Sequence, residues 1–194
     1  MINIINKAVQ DAMASRQTNK ILTGTLAAVK NFKSLNGGEV PCAEVFYLNQ
    51  MEIIIPISQM NVGRESDDEL QQEKIVRTML GATIDFVVTE INVKTKMAAA
   101  SRKKAMEIRR MLELPKHKVG DIILVRVTGV GLNAAIVEAY GIETKVPKEE
   151  IDWGYVGDIE LQVGENVPAK IQELNVEKET IKVSIKEAKE DPYR

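Results

Sequence analysis

The sequence predicts a mainly β protein with helical linkers, built as two tandem five-stranded barrels. Three observations carry this. Short runs rich in β-branched and aromatic residues recur in the same order in both halves, turn residues separate them, and a helical, strongly basic stretch lies between the two sets. Self-similarity over about 95 residues means two copies of one module rather than one long sheet.

The elements follow in order. Residues 2–20 space Ile2, Ile5, Val9, Ala12 and Met13 by threes and fours, with Gly24 shortly after, which predicts an amphipathic helix. Strands are expected at Ile21–Val29, Cys42–Leu48 and Met51–Ile57, divided by the turn chemistry of Asn36-Gly37-Gly38 and Asn49-Gln50. Ser66-Asp67-Asp68-Glu69 reads as a capping box opening a helix that carries Leu70, Ile75, Met79 and Leu80 and ends at Gly81. Two strands, Thr83–Ile91 and Asn92–Ala98, close the first set, and a helix over Ser101–Leu114 is stopped by Pro115. The second set is expected at Asp121–Val130, Asn133–Ala139, Ile142–Val146, a short Lys148–Ile151 connection, Asn166–Leu174 and Thr180–Ile185. As text, Leu22–Val29 answers Gly120–Val127. Five short strands with a helix between the third and fourth describe the five-stranded Greek-key OB barrel. The expected divisions are an N-terminal helix at 1–19, barrels at 20–98 and 116–194, and a linker helix at 99–115.

Composition narrows the classes. With 44% apolar and 28% charged residues in 194, the chain buries real cores, which excludes disorder and low-complexity classes. The lone Cys42 forms no internal disulfide and fits a reducing compartment, so a cytoplasmic location is expected. The Ile53–Ile57 run, broken by Pro56, falls far short of the roughly 20 apolar residues of a membrane helix, and no membrane partner is expected. Met1–Asn6 shows no basic segment leading into an apolar stretch, so no signal peptide is expected.

The net charge of −2 hides a segregation. Residues 94–118 hold nine Lys and Arg against two Glu, a local charge of +7 between two acidic blocks. Such a patch suits phosphates. A solvated helix face would look the same.

The second half then resembles a known family. Lys118-Val-Gly-Asp-Ile-Ile-Leu-Val-Arg-Val-Thr-Gly-Val130, Val163–Ile171, Asn175–Lys186 and Glu190-Asp-Pro-Tyr193 resemble the S1 RNA-binding domain. Ala100-Ser-Arg-Lys-Lys-Ala105 looks like that family's closing strand running into the helix that joins two repeats. Gly24, Ile57-Ser-Gln-Met60 and Gly81 place a divergent copy at about 20–98. The resemblance implies an OB fold holding single-stranded RNA by stacking bases on two aromatics and a histidine beside basic residues. This chain departs from that pattern. The family's Phe-Gly-Ala-Phe-Val becomes Leu132-Asn-Ala-Ala-Ile136, and the histidine position is Pro147; the first copy reads Val40-Pro-Cys-Ala-Glu-Val45 with Pro56.

With the platform gone, other residues become candidates. The expected nucleic-acid contacts are Lys94, Lys96, Arg102, Lys103, Lys104, Arg109 and Arg110 from the basic stretch, with Arg126 and Lys145 on the second barrel. Of the eight aromatics, Phe46 and Tyr47 are strand neighbours facing opposite sides; Phe46 is expected in the core, leaving Tyr47 for base contact. Trp153 and Tyr155 sit in a glycine-bearing loop after the third strand of the second barrel, either where partners dock or as a plain lid over the barrel end. His117, the only histidine, reads as a surface residue of the linker, and Cys42 as a small buried strand residue. Asp67-Asp68-Glu69 and Glu149-Glu150-Asp152 read as helix N-termini. No glycine-rich phosphate loop, paired-histidine metal motif or nucleophile elbow is present in the sequence, so neither an enzyme nor a cofactor is expected. The leading expectation is single-stranded RNA or nucleic-acid binding through backbone electrostatics. The alternative is a protein-docking or structural module of a larger assembly, associated with a ribosome or part of a phage particle.

Overall fold

The computed structural model describes residues 6–34, 36–63 and 67–193, so Ile2, Ile5 and Ser66 lie outside it. The chain divides into two units, Met1–Ala105 and Met106–Arg194.

The first unit opens with α1 (Lys7–Thr18), capped by the Asn6 side chain, which accepts from the Ala8 N–H. Ala8, Val9, Ala12 and Ser15 form its buried face. Five strands follow: β1 (Leu22–Lys33), β2 (Glu39–Tyr47), β3 (Met51–Pro56), β4 (Thr83–Asn92) and β5 (Met97–Ser101). They close into a barrel in the order β1-β2-β3-β5-β4, with β3 and β5 parallel and the other pairs antiparallel. Period-two burial selects the inner face, as in β3, where Met51, Ile53 and Ile55 are buried and Glu52, Ile54 and Pro56 are not. The helix α2 (Glu69–Thr78) sits between β3 and β4, and its cap is Asp68, whose carboxylate accepts from the Leu70 N–H. The residues expected as a strand from Asn92 to Ala98 are instead mostly turn. The Asn92 side chain accepts from the N–H groups of Lys94 and Thr95, and this side-chain bond bends residues 93–96 into the β4–β5 hairpin.

The second unit repeats the strand order with β6 (Ile122–Val130), β7 (Ala134–Ala139), β8 (Ile142–Pro147), β9 (Asn166–Asn175) and β10 (Thr180–Ser184), but as a five-stranded sheet in the order β10-β9-β6-β7-β8. Among the described residues, the ladder between third and fifth strands that closes the first barrel has no counterpart between β8 and β10, so the second expected barrel is not closed by strand pairing. Val125, Val127, Val137, Val146, Ile171 and Val183 fill its core. After β8 comes a three-residue 3₁₀ turn, Lys148–Glu150, as Ile57–Gln59 follows β3, and among the described residues no α-helix like α2 lies between it and β9. The carboxylates of Glu149, Glu150 and Asp152 therefore do not mark a helix N-terminus. The helix α3 (Arg102–Glu113) holds the boundary between the units and passes into a 3₁₀ turn at Leu114–Lys116.

Pairing register aligns the copies better than their text does. Each first strand carries a bulge against its second strand, after Leu26 in β1 and after Val127 in β6. Counting back from these bulges matches Leu22 with Ile123, not with Gly120. Phe86 faces Leu22 and Ala169 faces Ile123, while Gly24 lies opposite Ile84 and Val125 opposite Val167. One core holds Gly24 with Phe86 where the other holds Val125 with Ala169. A Cβ on Gly24 would stand 2.5 Å from Val45 Cγ1 and 3.4 Å from the Phe86 ring, so the missing side chain makes room for neighbouring bulk.

A polar clasp recurs as well. At the end of β5 the Ser101 hydroxyl donates to Gln59 Oε1 (2.7 Å) and accepts from the Lys104 N–H. At the end of β10 the Ser184 hydroxyl hydrogen-bonds Glu150 and accepts from the Glu187 N–H. In each copy the partner is the last residue of the 3₁₀ turn that follows the third strand.

Candidate nucleic-acid interface

The two prolines at the resembled family's histidine position, Pro56 and Pro147, fall at matching register positions in the two units. Cys42 pairs with Pro56 at the end of the β2–β3 ladder, and Ala134 pairs with Pro147 at the end of β7–β8. Neither place carries a ring. Leu132 projects into solvent while Ala135 is buried. Burial, with the Glu69 carboxylate of α2 nearby, pushes the Cys42 thiol up to about 11, so it is a protonated packing group.

The two adjacent aromatics of β2 are placed the opposite way from the sequence expectation. Phe46 is 52% exposed, and Tyr47 turns inward. Tyr47 meets the Phe86 ring edge to face at 6.0 Å, and its hydroxyl donates to Asp11 of α1 at 3.0 Å. Burial followed by that hydrogen bond pushes the phenol up to about 12. The reason is the hydroxyl: α1 covers this part of the barrel with an acceptor, which a tyrosine satisfies and a phenylalanine does not. Tyr47 is therefore committed to packing, and Phe46 is the solvent-facing ring.

The basic stretch also divides. Lys94 and Lys96 stand exposed on the β4–β5 hairpin, and Lys103 and Lys104 are exposed on α3. Arg102 and Arg110 are not surface cations. Arg102 is 0% exposed and donates from Nη1 to the Met60 carbonyl at 2.8 Å. Arg110 is buried, donating from Nη1 to the Gly141 carbonyl at 2.8 Å with Nε 3.2 Å from a Glu179 carboxylate oxygen. Counting charges cannot see this, because Arg102 and Arg110 are buried and their planar donors satisfy carbonyls inside each unit. Arg109 is half-buried. Arg126 lies in β6 opposite Glu138 on one side and Asn166 on the other, and Lys145 is exposed on β8 opposite Ile136.

Trp153 and Tyr155 lie in the loop that follows the 3₁₀ turn of the second unit. Tyr155 is 97% exposed. Trp153 is half-buried, and the Lys186 ammonium stands 5.5 Å from its ring centre. The Lys189 ammonium donates to the Asp152 carboxylate (2.9 Å), and this bond with one from the Trp153 N–H holds that carboxyl below its usual range.

One aromatic pair carries no signal in the sequence. His117 and Tyr140 stack at 4.4 Å with their planes 14° apart. Tyr140 has φ 47° in the Tyr140-Gly141 turn between β7 and β8, and His117 Nδ1 is 3.5 Å from Asp121. His117 is thus half-buried against the barrel instead of free on a linker. The tight turn is visible in the sequence, but its partner, 23 positions earlier, is not.

Among the described residues, no helix is long and apolar enough to cross a membrane. No curated protein matches this chain. Among solved structures, an a/eIF2alpha–aDim2p–rRNA complex from Pyrococcus horikoshii OT3 is similar at 22% identity, over 38% of this chain and 46% of that chain, with a TM-score of 0.35. A multidomain protein with nucleic acid binding domains from Streptococcus pneumoniae is similar at 11% identity, over 87% of this chain and 51% of that chain, with a TM-score of 0.39. The chain spans about half the length of each. The family model that matches is the S1 RNA binding domain, over residues 116–186, the second unit of this chain.

Proposed function

We propose that the chain binds single-stranded RNA or another nucleic acid without catalysing a reaction on it, mainly through phosphate contacts. The observation that carries this reading is the S1 RNA binding domain match at 116–186, in a chain whose other unit presents Lys94, Lys96, Lys103 and Lys104 to solvent. Lysine ammoniums without rings beside them neutralise phosphate but do not read bases, so affinity follows salt more than sequence. The division into an N-terminal helix, two barrels and a basic linker helix is part of this proposal, as is a cytoplasmic setting where RNA is the partner. The test is anisotropy of a labelled single-stranded RNA across salt concentrations. A steep linear fall of log affinity with log salt is expected, and a flat profile overturns the reading.

A second reading is favoured by a different observation. Pro56 and Pro147 stand at matching register positions in two barrels that have both lost the platform rings. Barrels altered alike in this way fit a protein-docking or structural module of a larger assembly. In that case oligonucleotide binding is absent at all salt concentrations.

A further inference from the structure

The loop that carries Trp153 and Tyr155 encloses a cavity of about 300 Å³, and its charge is of the wrong sign for a nucleic acid. Beside the two rings it is lined by Asp152, Asp158, Glu160 and Lys189. Lys189 is committed to Asp152, at 2.9 Å. Asp158 and Glu160 are exposed, and among the described residues their carboxylates make no hydrogen bond or ion pair. A phosphodiester entering here would meet two uncompensated negative charges. A cation would meet two carboxylates and two electron-rich ring faces.

We propose that this cavity receives an arginine side chain of a basic protein segment, a role beyond the nucleic-acid reading and independent of it. Three features support the assignment. Carboxylates bind a guanidinium through paired, charge-assisted hydrogen bonds. Tyrosine and tryptophan faces attract cations within about 6 Å of the ring centre, and they attract the flat, weakly hydrated guanidinium best. The Trp153 ring already shows this chemistry inside the chain, since the Lys186 ammonium, which does not line the cavity, lies 5.5 Å from its centre. The loop itself is shaped by Gly154, at φ 79°, where a Cβ would fall 2.9 Å from the Tyr193 hydroxyl oxygen. An open cavity with an almost fully exposed Tyr155 at its rim matches the aromatic and arginine anchors that concentrate binding energy at protein interfaces.

Trp153 is the only tryptophan in the chain, so its fluorescence reports on the cavity directly. The full chain is titrated with an acetylated, amidated tri-arginine peptide, with a tri-glutamate peptide of the same form, and with a single-stranded oligonucleotide. Tri-arginine is expected to change the emission saturably and tri-glutamate to leave it unchanged. The double variant Asp158→Asn/Glu160→Gln, exposed and isosteric, is expected to weaken the tri-arginine response at least tenfold, and Tyr155→Ala to weaken it several-fold. No saturable response to tri-arginine, or an equal response in the double variant, overturns the proposal. So does an emission change produced by the oligonucleotide and abolished in Tyr155→Ala, because the loop is then a nucleic-acid contact. Oligonucleotide anisotropy on the same samples reads the nucleic-acid proposal separately, so failure of either leaves the other standing.

Discussion

The closed barrel of the first unit and the five-stranded sheet of the second share their antiparallel neighbours, their first-strand bulge and their serine clasp, yet they fill equivalent positions with different residues. The first core combines Gly24 with Phe86, and the second combines Val125 with Ala169. What the repeat keeps is register and volume, while side-chain identity drifts in compensating pairs. This can be broken directly. Phe86→Ala should cost about 3–5 kcal/mol by opening a cavity at a fully buried site. Gly24→Val should cost about 1–3 kcal/mol by crowding Val45 and Phe86. The double variant imitates the second core, and its cost in denaturant unfolding should fall clearly below the sum of the singles. Strict additivity would mean that the two positions do not trade volume.

The β2 aromatics belong to the barrel that α1 covers, and this cover has no counterpart among the described residues of the second unit. Tyr47→Ala should destabilise the protein by about 2–3 kcal/mol, because it removes both the ring packed against Phe86 and the hydrogen bond to Asp11. Phe46→Ala should change stability by no more than about 0.5 kcal/mol, since more than half of the residue is already in water. Thermal or urea unfolding of the two variants reads the difference, and equal losses of stability would contradict the placement of these rings.

The clasps differ in one atom that matters. Gln59 is neutral, whereas Glu150 is an acid partnered by Ser184, Lys186 and Gln172. Burial works to raise the Glu150 pKa, but those hydrogen bonds and the Lys186 charge outweigh it, and the folded value lies below the ordinary 4.5 of a glutamate. The clasp of the second barrel therefore contributes its full stability above about pH 4.5 and loses it as pH falls through the lower folded value. Glu150→Gln should remove that acid sensitivity from unfolding curves taken between about pH 5 and 3, at a cost of about 1 kcal/mol at neutral pH once partial exposure is allowed for. The first barrel, clasped by an amide, has no corresponding group to titrate.

Most of this architecture is legible in the sequence, because period-two burial, turn residues and caps are local signals. Nine of the ten strands, α2 and the junction helix follow from them, while the strand expected at Asn92–Ala98 is displaced to Met97–Ser101. The failures share one cause, which is that a side chain's partner lies outside its own local pattern. Asn92 reads as the start of a new strand, but its side chain closes a turn. Tyr47 reads as available, but α1 supplies Asp11. Arg102 and Arg110 read as surface charge, but their guanidiniums donate hydrogen bonds to the carbonyls of Met60 and Gly141. The acidic cavity around Trp153 is visible in the sequence only as a glycine-bearing loop, since Lys189 and the carboxylates are brought to it from both sides of β9 and β10.

The smallest effect per residue separates the two barrels as charged surfaces. If phosphates are held mainly by the first unit, neutralising its exposed Lys94, Lys96, Lys103 and Lys104 to glutamine should lower the salt slope of single-stranded RNA binding by up to about 3, at roughly 0.7 for each phosphate no longer neutralised. Lys145→Gln on the second barrel should lower it by no more than about 0.7. Arg102 is the control that charge counting would misjudge. Its guanidinium is 0% exposed and held by the Met60 carbonyl, so replacing it should cost folding stability without a salt-dependent loss of affinity in the fraction that remains folded. Anisotropy titrations at several salt concentrations, corrected for folded fraction by circular dichroism, measure all three. A slope unchanged by the quadruple variant would remove the hairpin and the start of α3 from the interface. A slope change in the Lys145 variant larger than in the quadruple variant would move the interface to the second barrel, where the S1 RNA binding domain match lies.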